Sequence, residues 1–238
     1  MIRNTLWLSR QALLYTAFAV GVTSAQSTGT ITGAVQTADG KGVSQALVII
    51  NVIPVAGGKT QPFNTKATTA ANGTFSATGI PAGTFMVCPQ LPGSDLLAPC
   101  TWNTTPPTIT LSQGQALNMP PIQLQKGVHY PIHFDDPVGV GAATSATVKG
   151  AHVFVGIKSP SGQIVPTWVT TTDSTGFDHD IVVPPNANLT LTVFSKVFAI
   201  SDDTGALIDK SIGAAVTFVA PIAGVAAPKK FTITGLNP

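Results

Sequence analysis

Histidine and aspartate recur along two short stretches of this 238-residue chain. The stretch VHYPIHFDD places His129, His133 and Asp135 at even spacing, and Asp178, His179 and Asp180 are adjacent. Imidazole nitrogens and carboxylate oxygens bind metal ions, and they also act as general acids and bases. These two stretches are therefore the first places to look for a metal site or a catalytic site.

The spacing in VHYPIHFDD argues against one shared metal ion. In a β-strand the polar residues of this stretch alternate with apolar ones, so His129, His133 and Asp135 point outward. The two imidazoles then lie about 13 Å apart, which is too far for a single ion. We interpret this side of the strand as a polar face exposed to solvent. The inward face consists of Val128, Tyr130, Ile132 and Phe134.

The stretch Asp178, His179 and Asp180 also cannot form a metal site by itself. Alternation places the carboxylates of Asp178 and Asp180 on the face opposite His179, so a metal site needs ligands from another strand. We keep these three residues only as a remote alternative, a metal-dependent activity. The GxSxG and HExxH motifs do not occur. We predict no catalytic residue, no cofactor and a protein that is not an enzyme.

Trp102 and Trp168 are the tryptophans outside the N-terminal segment, and both are candidate ligand-binding residues. An exposed indole ring can stack on the apolar face of a sugar. Each residue also has a structural interpretation: Trp102 follows Cys100 closely enough to pack on a disulfide, and Trp168 alternates with its neighbours in a way that could bury it. We favour packing in the core for both.

The composition limits the classes of partner. Only 9% of residues are charged, where about 25% is usual, and the net charge is +2. The longest basic run is the pair Lys229 and Lys230. We therefore predict neither a nucleic-acid partner nor an anionic membrane partner, and the uncharged composition is typical of a secreted β-protein.

The N-terminus predicts export. Arg3 and Arg10 precede an uncharged apolar stretch over residues 12–22, and small residues lead to a cleavage site after Ala25. The apolar stretch is about half the length of a membrane-spanning helix, so we predict a signal peptide over residues 1–25 and no stable membrane insertion after cleavage. The expected location is secreted, periplasmic or in the cell envelope.

Cys88 and Cys100 are the only cysteines. In an oxidising compartment a disulfide is favoured over a zinc site, which needs more ligands, and over a catalytic thiol, which needs a cationic neighbour. Closing so short a loop stabilises a fold by about 3 kcal/mol in the chain-entropy model. We expect the disulfide to clamp the segment PQLPGSDLLAP between two strands.

The stretch ANGTFSATGIPAGTFMVCP predicts two alternating strands, residues 74–78 and 84–88, joined by a turn rich in glycine and proline as a β-hairpin. Phe75 and Ala77 share one face of the first strand, and Phe85 and Val87 share the inward face of the second. About seven such strands in roughly 100 residues are typical of a small β-sandwich.

The chain then repeats itself. Residues 45–50 correspond to 150–155, residues 68–75 correspond to 171–177, and the proline breaks at 80–83 and 183–186 each lead into another strand. We therefore predict two related sandwiches in tandem, residues 26–125 and 127–238, with the junction at residues 125–127.

The motifs DGKGV, ALVIINV, TxxNGTF and IPAGTFMV resemble the carboxypeptidase regulatory-like domain, a prealbumin-like β-sandwich of the wider carbohydrate-binding-like fold group. The resemblance is good over residues 28–88 and partial over 128–195. It implies an all-β fold of two tandem Greek-key sandwiches, and an accessory module that carries no catalytic residues.

We therefore expect a non-enzymatic extracytoplasmic binding or structural module. Glycan binding is the main hypothesis and predicts an exposed tryptophan. Protein adhesion or envelope scaffolding is the alternative and predicts an exposed apolar patch or an open edge strand. The expected partner is a carbohydrate or an envelope protein.

Overall fold

A computed structural model describes residues 27–58, 61–103, 105–137, 139–140, 152–209 and 213–237. The predicted signal peptide and its cleavage site lie outside these residues. The described residues form two consecutive β-sandwiches with one short helix. Within this part of the chain, no helix has the length and hydrophobicity to cross a bilayer.

The first sandwich contains nine strands. One sheet has the order β4-β1-β9-β6, with β8 also paired to β1, and the facing sheet has the order β3-β2-β5-β7. The elements are β1 (Gly29–Thr37), β2 (Leu47–Val52), β3 (Asn64–Thr68), β4 (Thr74–Ile80), β5 (Gly83–Gln90), β6 (Leu96–Leu97), α1 (Pro99–Trp102), β7 (Thr108–Leu111), β8 (Ala116–Asn118) and β9 (Ile122–Lys126).

The second sandwich also contains nine strands. Its sheets have the orders β13-β14-β10-β18-β16 and β12-β11-β15-β17. The elements are β10 (Val128–Asp135), β11 (Phe154–Lys158), β12 (Ile164–Pro166), β13 (Val169–Thr172), β14 (Gly176–Val183), β15 (Asn188–Phe194), β16 (Phe198–Ser201), β17 (Ala214–Val219) and β18 (Lys229–Leu236).

The two sandwiches have matching topology, as the internal repeat predicts. The order β3-β2-β5-β7 corresponds strand for strand to β12-β11-β15-β17. In the facing sheets, β1 pairs antiparallel with β4 and parallel with β9, and β10 pairs antiparallel with β14 and parallel with β18. The all-β class and the two tandem sandwiches are thus confirmed, whereas the exact domain limits stay a prediction.

Each sandwich has its own hydrophobic core, because alternate residues of facing strands point between the sheets. Phe85, Ile50 and Ile31 are fully buried in the first core. Phe134, Phe231 and Leu191 are fully buried in the second core. The rings of Phe134 and Phe231 stack with their centroids 5.3 Å apart.

The predicted β-hairpin is wrong, although its two strands form. β4 pairs with β1, and β5 pairs with β2 and β7, so the two strands lie in opposite sheets. Gly79, with a φ of 76°, lies at an irregularity in the pairing of β4 with β1, one residue before β4 ends at Ile80 and the chain crosses to the other sheet. Phe75 and Phe85 therefore enter the first core from opposite sheets, and both are buried there.

The disulfide between Cys88 and Cys100 forms as predicted, with the two Cα atoms 5.6 Å apart. Its second cysteine lies in helix α1 and not in a strand, which corrects the expected clamp between two strands. Pro99 begins this helical turn, where its fixed φ and missing N–H fit the first helical position. The disulfide thus ties a helical turn to strand β5.

We predict that Phe85→Ala destabilises the first sandwich by about 3–5 kcal/mol, since Phe85 is fully buried and its removal leaves a cavity. The measurement is the free energy of unfolding in urea. Val55→Ala, at an exposed position, is the control and should change it by less than about 0.5 kcal/mol. A loss below about 1 kcal/mol for Phe85→Ala would contradict the core described here.

Candidate functional site

Strand β10 presents its polar residues on the outer face of the second sandwich, as the alternation predicts. The neighbouring strand β14 presents Asp178 and Asp180 on the same face. In the antiparallel register, His133 is paired with Asp178, and Pro131 is paired with Asp180. The two stretches that the sequence singled out therefore lie side by side and form one histidine–aspartate face.

His133 lies between two carboxylates. Its Nδ1 is 2.6 Å from Oδ1 of Asp178, and its Nε2 is 3.1 Å from Oδ1 of Asp135. The hydroxyl of Thr171 on β13 donates a hydrogen bond to the other oxygen of Asp178 at 2.5 Å. Both nitrogens of His133 donate when the ring is protonated, so this arrangement favours the imidazolium.

His129 is held in the same way, but by both sandwiches. Its Nδ1 is 2.5 Å from Oδ2 of Asp180 on β14, and its Nε2 is 3.0 Å from Oδ1 of Asp95, which precedes β6 of the first sandwich. Lys126 lies 3.7 Å from the second oxygen of Asp95. His129 thus links a carboxylate of each sandwich.

These contacts raise the pKa values of the two histidines and lower the pKa of Asp178. The pKa of His129 is raised by hydrogen bonds with Asp180 and then Asp95. Burial lowers the pKa of His133, but its bonds with Asp178 and Asp135 outweigh burial and raise it overall. The pKa of Asp178 is lowered, first by the Thr171 hydroxyl and then by His133. Each of these pKa shifts favours the charged form of its group, as charge-assisted hydrogen bonds between imidazolium and carboxylate require.

His179 points into the core, on the face opposite Asp178 and Asp180, as the alternation predicts. It is 3% exposed, and its Nδ1 shares a 2.7 Å hydrogen bond with the hydroxyl of Thr167. Burial lowers the pKa of His179 to about 4, so the ring is neutral at neutral pH. Its Nε2 has no hydrogen-bond partner among the described residues.

The metal candidates Asp178, His179 and Asp180 therefore do not converge on one point. The two carboxylates bind histidines of β10 on the outer face, and the imidazole lies in the core. Across the part of the chain that the structure describes, no group of three or more His, Cys, Asp or Glu residues is placed to hold a metal ion.

Trp102 is 9% exposed and packs with the core cluster of the second sandwich. Of the two interpretations of this residue, core packing is the one observed. The core is that of the second sandwich, although Trp102 precedes the last three strands of the first. Its ring is not available for stacking on a sugar.

Trp168 is 77% exposed, so its expected packing in the core is wrong. The residue before it is buried and hydrogen-bonded. Thr167 takes the inward position, because its hydroxyl bonds to the buried His179 and its backbone N–H donates to the carbonyl of Val155. Trp168 and all four residues of β13 after it are exposed, so this edge of the sheet presents its side chains to solvent without alternation.

The surroundings of Trp168 combine apolar and hydroxyl groups. Ile164 on β12 and Val169 on β13 are large apolar residues that are also exposed. All four residues of β13 are exposed, and three of them are threonines. The strand carries a bulge between Val169 and Thr171, opposite Asp178 and His179. Trp168 therefore directly precedes an exposed edge strand, which pairs with β14 beside the histidine–aspartate face.

No protein-family model matches the chain, and no curated protein matches it significantly. Among solved structures, the chain is similar to the TIE protein of Bacillus anthracis, with 11% identity, a TM-score of 0.34 and coverage of 87% of this chain and 34% of that chain. It is similar to a streptococcal ancillary pilin, with 11% identity, a TM-score of 0.38 and coverage of 85% and 62%.

A third similar structure is the minor pilin GBS52 of Streptococcus agalactiae, with 14% identity, a TM-score of 0.40 and coverage of 88% of this chain and 98% of that chain. The chain thus spans about a third of the length of the first of these proteins and less than two thirds of the second. With TM-scores below 0.5, these likenesses carry no argument about function.

Three features of the site were not predicted from the sequence. The cross-strand pairs of His129 and His133 depend on the register of β10 against β14, and the contribution of Asp95 depends on how the two sandwiches meet. The position of Thr167 depends on its bond to His179. The available signal was the repeat, because it aligns β14 with β4 and so predicts that β14 pairs with the first strand of its own sandwich.

We predict that protonation of His133 stabilises the fold. Its folded pKa is raised, so this stabilisation is fully present below the unfolded value of 6.5 and is lost as the pH rises through the folded pKa. The charged groups near His133 include Asp178, Asp135, Asp173 and, at the paired position on β18, Lys230. The measurement is the free energy of unfolding of wild type and His133→Gln between pH 6 and 9. His129 titrates in both proteins, so an equal pH dependence in both would contradict this prediction.

We predict the opposite sign for His179. Its folded pKa of about 4 is below 6.5, so the unfolded chain gains a proton first, and up to about 3 kcal/mol of stability is lost as the pH falls from 6.5 to 4. His179→Phe should remove this part of the acid dependence, because a phenyl ring fits among Phe134 and Phe177 and does not titrate. Unfolding of both proteins at pH 7 and 4.5 is the measurement. An unchanged acid dependence in His179→Phe would show that His179 is not the titrating group.

Proposed function

We propose that the protein is a non-enzymatic carbohydrate-binding module that acts outside the cytoplasm, and that Trp168 is its main sugar-stacking residue. The single observation that carries the proposal is the exposure of this indole, 77%, in a chain where the other described tryptophan is buried. A large aromatic ring left in water is a cost to the free protein unless a partner covers it.

The backbone that carries Trp168 is well anchored. Thr167 is buried and bonds to His179 and Val155, so the residue that presents the indole has little freedom. A ligand that stacks on a fixed ring loses less conformational entropy of the protein than a ligand that must order a loop. This geometry supports binding at a preformed surface.

Polar groups beside the ring can fix the orientation of a sugar. The threonine hydroxyls of β13 retain acceptor lone pairs after Thr170 and Thr171 donate to Asp178. The carboxylate of Asp178 has further acceptor capacity for a sugar hydroxyl. An apolar platform with a few placed polar groups is the usual composition of a ligand site.

We also propose that both sandwiches are carboxypeptidase regulatory-like, prealbumin-like domains and that the protein is secreted or held in the cell envelope. The matching topology of the two sandwiches supports a duplicated module. The disulfide between Cys88 and Cys100 supports an oxidising compartment.

A second candidate function is protein adhesion or scaffolding. Strand β17 is an edge strand with no charged residue, and the loop after it exposes Ile222 and Val225 to solvent at 79% and 67%. Uncharged edges and exposed apolar side chains are typical of protein-binding surfaces. This surface does not include Trp168, so the two functions are separable by mutation.

We predict that Trp168→Ala lowers affinity for a bound polysaccharide at least about tenfold, because the stacking surface is lost. The measurement is retention of residues 26–238 on immobilised plant and bacterial polysaccharides, followed by calorimetric titration with the polymer that binds. Trp168→Phe should retain part of the affinity.

The control is Leu207→Ala, which removes another exposed apolar side chain near β16, at the opposite edge of the same sheet. It should leave binding unchanged. Equal loss in Leu207→Ala and Trp168→Ala would contradict a site at Trp168. Absence of retention on every polymer would contradict glycan binding and favour the adhesion surface.

A further inference from the structure

The segment 95–102 belongs to the first sandwich by chain order, yet part of it lies in the core of the second. Strand β6 pairs with β9, so Leu96 is opposite Lys126 and Leu97 is opposite Gln125. Successive residues of a strand point to opposite sides. Leu96 packs against the first core cluster, and Leu97 belongs to the second. This short strand therefore contributes one side chain to each core.

Helix α1 extends the same connection. Trp102, at its end, is a member of the second core cluster. The backbone carbonyl of Thr101 accepts a 2.9 Å hydrogen bond from the hydroxyl of Ser161, which lies in the turn between β11 and β12. Cys100 ties the same helical turn to β5 through the disulfide. The helix is thus bonded covalently to the first sandwich and packed against the second.

Polar contacts around Asp95 close the junction from the other side. The backbone carbonyl of Asp95 accepts a 2.7 Å hydrogen bond from Gly127, the single residue between β9 and β10. Its carboxylate binds His129, which in turn binds Asp180. These contacts restrain the chain where a flexible linker would otherwise allow the sandwiches to move.

Gly127 itself is enclosed. A Cβ atom at this position would lie 2.4 Å from Cγ1 of Val182 and 2.9 Å from Cδ2 of Leu97. Both distances are too short for any larger residue without displacement of its neighbours. The junction is therefore packed as tightly as a core, and the close approach of β6 to the second sandwich requires glycine here.

We propose that the segment 95–102, here called the brace, holds the two sandwiches as one rigid unit, and that the disulfide anchors the brace to the first sandwich. Tandem domains joined by a short linker are expected to move relative to each other unless a large apolar contact prevents it. Leu97 and Trp102 provide that apolar contact. This inference does not depend on what the protein binds.

The test is rotational tumbling of residues 26–238, measured separately for the two sandwiches by backbone amide relaxation in solution. Wild type should give the same correlation time for both sandwiches. In the double variant Leu97→Ser with Trp102→Ser, the correlation times should separate or fall, by up to about twofold, toward that of a single sandwich.

Two further variants make the test specific. Leu96→Ser is the matched control, because Leu96 is adjacent to Leu97 on β6 but packs on the first core only. The two sandwiches of this variant should keep the same correlation time. Cys88→Ser with Cys100→Ser keeps Leu97 and Trp102 but removes the anchor, so the correlation times should again separate.

Different tumbling of the two sandwiches in wild type would overturn the proposal. Common tumbling in the Leu97→Ser, Trp102→Ser variant with both sandwiches folded would also overturn it. If the second sandwich of the Leu97→Ser, Trp102→Ser variant does not fold, the Cys88→Ser, Cys100→Ser variant becomes the deciding test. Equal correlation times of the two sandwiches in the cysteine variant would overturn the anchoring role of the disulfide. Amide dispersion in each spectrum reports whether both sandwiches are folded.

Discussion

The alternation of side chains across a β-strand is the constraint on which the arrangement of this protein depends. Because neighbouring residues point to opposite sides, each strand divides its sequence between a core and another environment. In β10 this division leaves His129 and His133 outside, and in β14 it leaves Asp178 and Asp180 beside them while His179 enters the core. The same constraint divides Leu96 from Leu97 at the junction of the sandwiches.

The buried histidine has consequences beyond its own position. A polar ring in an apolar core requires a hydrogen-bond partner, and Thr167 supplies it from the connection between the two sheets of the second sandwich. That bond holds Thr167 in the core, and the next residue, Trp168, lies in solvent together with all of β13. The backbone beside the candidate sugar platform is therefore anchored by a hydrogen bond to one nitrogen of a core imidazole.

One hydrogen bond and a short stretch of chain connect the brace with the candidate site at Trp168. Thr101 of the brace accepts a hydrogen bond from Ser161, and Ser161 begins the turn that leads into β12 and then to Trp168. A rigid junction would thus also support the hairpin that presents the indole. This arrangement relates the disulfide of the first sandwich to a surface of the second through packed and hydrogen-bonded residues.

The disulfide was predicted from the presence of two cysteines in a chain expected to be exported. Local patterns in the sequence were sufficient for many of the strands, the two related sandwiches and the outward direction of His129, His133 and Asp135. These depend on periodicity and on turn residues, which are properties of neighbours in the chain. The pairing of β4 and β5 with different sheets, the exposure of Trp168 and the position of Trp102 in the second core were decided by tertiary structure. Each depends on contacts that the local sequence does not specify, namely the pairing of β4 with β1 and of β5 with β2 and β7, the bond of Thr167 to His179, and the packing of β6 and α1 across the junction.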